Sequence, residues 1–196
     1  MKLLKFAGAL LAAAMLLAGC KDAAAPAEPA AAPAAKTPVT TAAIEAEAKG
    51  FVVGTPMATR TVYVFFDPQC PHCAVLWQQA KPLKNQAKFV WIPVAFSGAT
   101  GMAQGATILA ASDPVAKMEE NEASILAKTG GITAASGVDA QKEQVKKNTD
   151  LLTRMGFASV PSIVALHAQT GQLVTAEGSM PTAELAARLG LQAPAQ

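Results

Sequence analysis

Cysteine, aromatic and charged residues are all scarce in this chain. Its 196 residues include three cysteines and 5% aromatic residues, and 15% of them are charged, with a net charge of +2. So small an excess of positive charge provides no basic stripe to neutralise a run of phosphates, and we expect no nucleic-acid partner. The cysteine count excludes a framework of several structural disulfides.

The first twenty residues have the layout of an export signal. Residues 6–17 are apolar and follow two lysines, but this stretch is too short for a bilayer-spanning helix. It ends in Leu17-Ala18-Gly19-Cys20, which resembles the bacterial lipobox, so we expect residues 1–19 to be a lipoprotein signal peptide and Cys20 to be lipidated. The alternative is an ordinary signal peptide in which Cys20 is lost or incidental. In the rule for such lipoproteins, Lys21 in place of an aspartate favours the outer over the inner membrane.

A composition shift after the signal separates a tether from a folded domain. Residues 20–40 are rich in Ala and Pro, with too few large apolar groups to offset the entropy of ordering. We interpret this segment as a tether and residues 41–196 as one domain, which faces the periplasm from a lipid anchor.

Strand and helix patterns alternate at the start of this domain. Residues 41–49 predict a short helix and residues 51–54 a short edge strand. Residues 61–66 are apolar on both faces, which is typical of a central strand, and residues 88–96 predict a second one. The connection between these two strands contains a helix, so we expect them to pair in parallel.

The connecting helix is predicted from about Cys70 to about Asn85, with a kink at Pro82. Asp67, beside a proline, is expected to cap the turn before this helix. We expect Trp77 to pack against the domain rather than bind substrate.

Helical patterns dominate residues 97–156, which we interpret as an insertion with helix N-caps at Asp113 and Asp139. Residues 162–167 and 172–176 then predict a hairpin, in which His167 is structural. A last helix has Pro181 in its first turn and Gly190 beyond its end. The order of elements predicts an α/β domain with helices on a mixed sheet.

Cys70-Pro71-His72-Cys73 places two thiols at the predicted start of a helix. Within one turn they are close enough for a bridge that opens and closes without a large backbone movement. The first-turn amides, the helix dipole and a charge on His72 favour the thiolate, so we predict Cys70 as the nucleophile. Cys73, one turn deeper, is the predicted resolving thiol. Because a stabilised thiolate stabilises the reduced form, the motif favours an oxidising couple.

Other interpretations of the two thiols stay open. A zinc site is disfavoured because His72 and His167 are the only further candidate ligands. A structural disulfide across so small a loop stabilises little. A non-enzymatic copper-binding or assembly factor, with Cu(I) held by the dithiol and His72, is the alternative function. The redox interpretation requires no metal or other cofactor.

Four further blocks accompany the dithiol: residues 62–69, 77–82, 108–114 and 159–162. With them, residues 50–190 resemble the catalytic domain of DsbG and DsbC, the bacterial thiol:disulfide interchange proteins. The resemblance implies a thioredoxin-like fold, a central mixed sheet flanked by helices, with a helical insertion. It also implies a protein thiol:disulfide oxidoreductase, and leaves oxidase, isomerase and reductase directions open.

The same resemblance assigns roles around the dithiol. It implies that Pro161 is a cis-proline packed against the active-site disulfide, and that Val160, Pro161 and Pro71 contact an extended substrate. Val160 departs from the threonine usual in DsbG and DsbC and, like the Pro-His dipeptide, resembles the oxidase DsbA. Val64 occupies the position of the buried acid of thioredoxins, so we expect no carboxylate to serve Cys73 from there.

The N-terminal region departs most from DsbG and DsbC, which have a dimerisation domain and a helical linker. Residues 21–50 are too few and too polar for such a module, so we expect a monomer, which disfavours isomerase activity. The expected partners are exported proteins with cysteines and a membrane redox partner that resets the dithiol.

Overall fold

A computed structural model describes residues 36–194, in which a five-stranded sheet is flanked by helices. The strands are β1 Phe51–Gly54, β2 Thr61–Phe66, β3 Lys88–Pro93, β4 Ser162–Leu166 and β5 Leu173–Glu177. The helices are α1 Thr41–Glu47, α2 Pro71–Ala80, α3 Ala99–Ala110, α4 Pro114–Leu126, α5 Asp139–Arg154 and α6 Thr182–Leu189.

The strand order across the sheet is β1-β3-β2-β4-β5, and β2 pairs in parallel with β3 while the other neighbours are antiparallel. Two predictions are thereby confirmed: β2 is the central strand, and it pairs in parallel with β3. Helices cover both faces of β2, which explains why its side chains from Val62 to Phe66 are buried without alternation.

The sheet has an apolar core on each face. On one face, β2 and β3 pack against α2, α4 and α6, and the Trp77 and Trp91 rings meet edge to face with centroids 4.9 Å apart. The Trp77 indole also donates a hydrogen bond to Glu119 of α4, at 2.6 Å. On the other face, Phe65 packs with Leu152 of α5. These contacts confirm that Trp77 packs against the domain.

Several predicted boundaries are wrong. The helix that follows Cys70 ends at Ala80 instead of Asn85, and Pro82 lies in a separate 3-10 turn, Lys81–Leu83, because proline has no N–H to continue the α-helical ladder. Strand β3 ends at Pro93 instead of residue 96, because the chain then leaves the sheet and the Ala95 N–H donates to the Thr149 hydroxyl of α5 at 3.0 Å. At the end of the domain, Pro181 is the N-cap of α6 and lies outside its first turn.

The helices of residues 97–156 begin in two different ways. Asp113 accepts a hydrogen bond from the Ala116 N–H and is the predicted N-cap of α4. Asp139 is the first residue of α5 and Val138 is its N-cap, so that prediction is one residue off. The negative charge of Asp139 still stabilises α5, because it lies at the positive end of the helix dipole.

The predicted signal peptide, residues 1–19, and Cys20 lie outside the described residues, as does the tether up to residue 35. Among residues 36–194, no helix has the length and apolar character needed to cross a bilayer.

Candidate active site

The two thiols lie where the central strand passes into helix α2. Cys70 is the N-cap of α2 and Pro71 its first residue, a position at which the missing N–H of proline costs no hydrogen bond. The Cys70 carbonyl accepts from the Cys73 N–H at 3.0 Å and from the Ala74 N–H at 3.2 Å, so both cysteines share the first turn. Cys70 is half-buried and Cys73 is fully buried.

The two cysteines differ in acidity as well as exposure. A hydrogen bond from Cys73 lowers the pKa of Cys70 to about 6, against the effect of its burial, and the backbone of Cys73 and His72 adds to the lowering. Burial raises the pKa of Cys73 well above its ordinary value, and its hydrogen bond with Cys70 adds to this rise. Near neutral pH the pair therefore carries one thiolate, on the more accessible sulfur.

His72 and Pro71 are both exposed on the rim of the site. The charge of His72 is the last of the causes that lower the pKa of Cys70, after the Cys73 thiol and the backbone. The His72 Nδ1 atom lies 3.4 Å from the Ser179 Oγ atom, which precedes α6. Within residues 36–194, no three His, Cys, Asp or Glu side chains are grouped closely enough to hold a metal ion.

The Val160–Pro161 peptide bond is cis, as the resemblance implied. Strand β4 follows it and pairs antiparallel with β2, with Ser162 opposite Phe65. This register brings the turn before β4 beside the end of β2, and the Val160 carbonyl oxygen lies 3.6 Å from the Cys70 Sγ atom. Pro161 is buried and Val160 is half-buried against the core that contains Cys73.

Asp67 stabilises the loop that precedes Cys70. Its carboxylate accepts from the Gln69 N–H at 2.8 Å, which confirms the predicted turn cap. It also accepts from the Ser97 N–H and hydroxyl, each at 2.6 Å, a connection to the loop after β3 that the sequence analysis missed. The Cys70 N–H donates to the Asp67 carbonyl at 2.9 Å. A single buried carboxylate thus links two loops at the dithiol.

Glu122 of α4 is a second buried carboxyl that the sequence analysis missed. It has no exposed surface, and burial raises its pKa to about 8, with the Cys70 charge contributing to the rise. Its position is readable in the sequence: it lies four residues after Met118 and three before Ile125, two apolar residues of the buried face of α4. A glutamate among the apolar positions of a helix face indicates that its carboxyl is buried with them.

Two other predicted residues have structural surroundings. Val64 is buried in the core on the α2 side of the sheet, so the position of the thioredoxin acid is apolar here. His167 follows the end of β4, and its Nδ1 atom lies 3.3 Å from the backbone nitrogens of Gln169 and Thr170 in the hairpin turn.

A sheet of this order, with the dithiol opening the helix after its central strand and a cis-proline facing it, defines a protein of the thioredoxin fold. The model of the family described as Thioredoxin-like domain matches residues 54–193. The chain belongs to this family.

Two curated relatives match this chain at 33% identity. The thiol:disulfide interchange protein DsbG of Pseudomonas aeruginosa is 33% identical over 143 residues, which cover 70% of this chain and 54% of DsbG. DsbG of Escherichia coli is 33% identical over 108 residues, which cover 52% of this chain and 42% of DsbG. The chain thus spans about half the length of the curated relatives it matches.

Solved structures confirm the fold at lower identity. A periplasmic thioredoxin-like protein from Salmonella enterica serovar Typhimurium superposes with a TM-score of 0.60 at 16% identity, over 79% of this chain and 97% of that one. The catalytic domain of Proteus mirabilis ScsC superposes with a TM-score of 0.57 at 17% identity, over 76% of this chain and 91% of that one. The mixed α/β thioredoxin-like fold is therefore the one that the sequence analysis predicted.

Proposed function

We propose that this protein is a thiol:disulfide oxidoreductase that acts on exported proteins through Cys70 and Cys73. The observation that carries the proposal is the difference between the two sulfurs. Cys70 is accessible and has a pKa of about 6, while Cys73 is buried and has a raised pKa. This division is what a nucleophile and a resolving thiol require.

The exchange follows from that division. The Cys70 thiolate attacks one sulfur of a client disulfide, a new S–S bond forms at Cys70, and the other client sulfur leaves as a thiolate that takes a proton from solvent. Cys73 then loses its proton to solvent and attacks the Cys70 sulfur, which releases the second client sulfur as a thiolate that takes a proton from solvent. The client gains two electrons and the Cys70–Cys73 disulfide forms; the reverse sequence oxidises a client dithiol.

The oxidising direction is favoured by the same observation. A lowered pKa of Cys70 stabilises the reduced enzyme, which raises the reduction potential of its disulfide. A membrane redox partner that accepts electrons from the dithiol is then needed to restore the disulfide. The Val160 carbonyl, 3.6 Å from the Cys70 sulfur, is the backbone group that a client in extended conformation pairs with, beside Pro161 and Pro71.

We further propose a periplasmic, lipid-anchored location. The similarity to a periplasmic thioredoxin-like protein of Salmonella enterica supports the compartment. The lipobox supports cleavage after residue 19, lipidation of Cys20 and a tether over residues 20–40, with the outer membrane favoured by Lys21. In the described residues, the exposed apolar side chains Val52 and Val115 lie apart on different elements, and the adjacent pair Leu166 and Leu173 is small, which supports a monomer.

Insulin reduction and the reactivation of scrambled ribonuclease test the proposed activity. We expect the purified protein to catalyse at least one of the two, Cys70→Ser to abolish catalysis, and Cys20→Ser to retain it as the matched control, since only the latter leaves the dithiol intact. Copper analysis of the reduced protein distinguishes the alternative: stoichiometric Cu(I) without turnover indicates a copper-binding or assembly factor and contradicts the proposal.

A further inference from the structure

Glu122 is a buried carboxyl that the proposed exchange does not use. It lies on α4, which packs against α2, and it has no exposed surface. One of its oxygens lies 3.4 Å from the Asn121 amide nitrogen. Its Oε2 atom has no hydrogen-bond partner, and no other buried side-chain nitrogen or oxygen in residues 36–194 shares this condition.

The surroundings of Glu122 give its charge little support. The amide nitrogen of Asn121 donates at a shorter distance, 2.9 Å, to the Pro68 carbonyl, and its oxygen accepts from the Ile132 N–H at 3.1 Å. The cation that faces α4 from the end of α2, Lys81, is paired with Glu119 at 2.6 Å. Burial of a carboxylate with no protein donor on one of its oxygens is costly, so the neutral form is favoured.

The titratable groups around Glu122 come from α2, the loop before it and α4 itself. Those whose charges act on it or on its neighbours are Cys70, Cys73, Asp67, Glu119, Lys81 and the exposed His72. Among these neighbours of Glu122, Cys70 is the group that changes charge between the oxidised and the reduced state, because Cys73 is a neutral thiol in the reduced protein. The charge on Glu122 must therefore respond to the dithiol.

We propose that Glu122 is a proton site coupled to the dithiol, which takes up a proton when the Cys70–Cys73 disulfide is reduced and releases it when the disulfide forms. This inference rests on the redox cycling in the proposed function. Glu122 acts on the sulfurs through its charge, so it is a positioning residue and not a catalytic one.

The protons and electrons balance for a dithiol reductant. Two thiols of the reductant give two electrons and two protons and become a disulfide, while the Cys70–Cys73 bond breaks. Cys73 takes one proton, because its pKa is raised, and Cys70 remains a thiolate above about pH 6. In the pH range in which Glu122 is ionised in the oxidised protein, the second proton goes to its carboxylate instead of to solvent.

The direction of coupling follows from the charges. In the reduced protein, burial and the Cys70 thiolate raise the pKa of Glu122 to about 8. In the oxidised protein the thiolate is absent, so the pKa of Glu122 is lower. Between these two pKa values, reduction takes up an additional proton, so the reduction potential of the protein falls more steeply with rising pH than the thiols alone would make it fall.

The equilibrium between the protein disulfide and dithiothreitol, measured against pH on the full chain, tests this inference. Glu122→Gln keeps the shape of the side chain and removes its ionisation. Between about pH 6 and pH 9, we expect the equilibrium constant for reduction by dithiothreitol to rise with pH in this variant by up to about tenfold per pH unit, because the second proton goes to solvent. It should rise less steeply in the wild type, where Glu122 takes up that proton. Glu120→Gln is the matched control, because Glu120 is exposed on the same helix and paired with Lys117. Its pH dependence should equal that of the wild type.

Parallel pH profiles for the wild type and Glu122→Gln overturn the inference. If the variant does not fold, the wild type alone decides: a protonated carboxyl band should appear in the infrared difference spectrum on reduction, and its absence overturns the inference. The proposed function fails separately. A protein that shows the Glu122-dependent profile and catalyses no exchange with protein clients contradicts the function only, because dithiothreitol reduces the disulfide without a client. A protein that never forms the Cys70–Cys73 disulfide contradicts both.

Discussion

The Cys70 Sγ atom lies 3.6 Å from the carbonyl oxygen of Val160, although 90 residues separate the two positions in the chain. The antiparallel pairing of β4 with β2 creates this proximity, because it places the cis peptide bond at the end of the strand that delivers the dithiol. A client strand held by the Val160 backbone would bring its own sulfur to Cys70. The following predictions concern the groups that tune this sulfur and hold it in place.

The acidity of Cys70 should depend more on Cys73 than on His72. The hydrogen bond from Cys73 is the largest cause of the lowered pKa, and the His72 charge is the last. We expect thiolate absorbance of the wild type to titrate with a midpoint of about 6, Cys73→Ala to raise this midpoint clearly, and His72→Ala to raise it less. A larger rise for His72→Ala would contradict the assignment.

Glu122 should make the reduced protein less stable at high pH. Folding raises its pKa from 4.5 to about 8, so the unfolded state loses its proton first and stability falls as the pH rises through this interval. Glu122→Gln lacks this loss. Urea denaturation should show that the free energy of unfolding of the variant, relative to that of the wild type, increases by a few kcal/mol from about pH 5 to about pH 9. A constant difference across the interval would count against the raised pKa.

Asp67→Asn should destabilise the loop that carries Cys70. The substitution replaces one acceptor oxygen with an NH2 group among donors from Gln69 and Ser97. We expect a loss of about 2 kcal/mol or more in unfolding free energy, because a buried charge-assisted contact becomes a donor facing a donor. Asp139→Asn, at an exposed side chain, is the control and should change stability by less than about 0.5 kcal/mol.

The turn at Gly131 should not tolerate a side chain. Its φ is +86°, and a Cβ there would lie 2.7 Å from the Gln104 amide nitrogen and 2.8 Å from the Asn121 side-chain oxygen. Gly137 also has a positive φ, +72°, but its Cβ would meet nothing within 4 Å. Thermal unfolding should therefore show Gly131→Ala to be about 1–3 kcal/mol less stable than Gly137→Ala, since only the former combines strain with a clash. Equal losses of stability in the two variants would contradict the predicted clash, because the loop at Gly131 would then adjust to the added side chain without cost.

Local patterns predicted most of the fold that surrounds the dithiol. The apolar run of β2, the start of α2 and the hairpin of β4 and β5 each have a strong short-range signal. Helix α2 ends earlier than predicted because Pro82 cannot continue the α-helical ladder. Strand β3 ends earlier than predicted because Ala95 bonds to Thr149 of α5 instead of to a strand, a contact between distant residues that the local pattern does not report.

The electrostatics of the site were less predictable. Cys70 and Cys73 were identified from their spacing, but Glu122 and the contact from Asp67 to Ser97 depend on which loops and helices meet in three dimensions. The position that holds an acid in thioredoxins is Val64 on the central strand, whereas the buried carboxyl of Glu122 comes from α4, about sixty residues later in the chain. Sequence spacing does not report such a contact.

Trapping with Cys73→Ala tests the central claim most directly. Without the resolving thiol, a mixed disulfide at Cys70 persists, so the variant expressed in cells should accumulate covalent adducts with exported proteins that disappear on reduction. The double variant Cys70→Ala, Cys73→Ala should give none. An absence of adducts with Cys73→Ala, or adducts that persist in the double variant, would contradict thiol:disulfide exchange through Cys70.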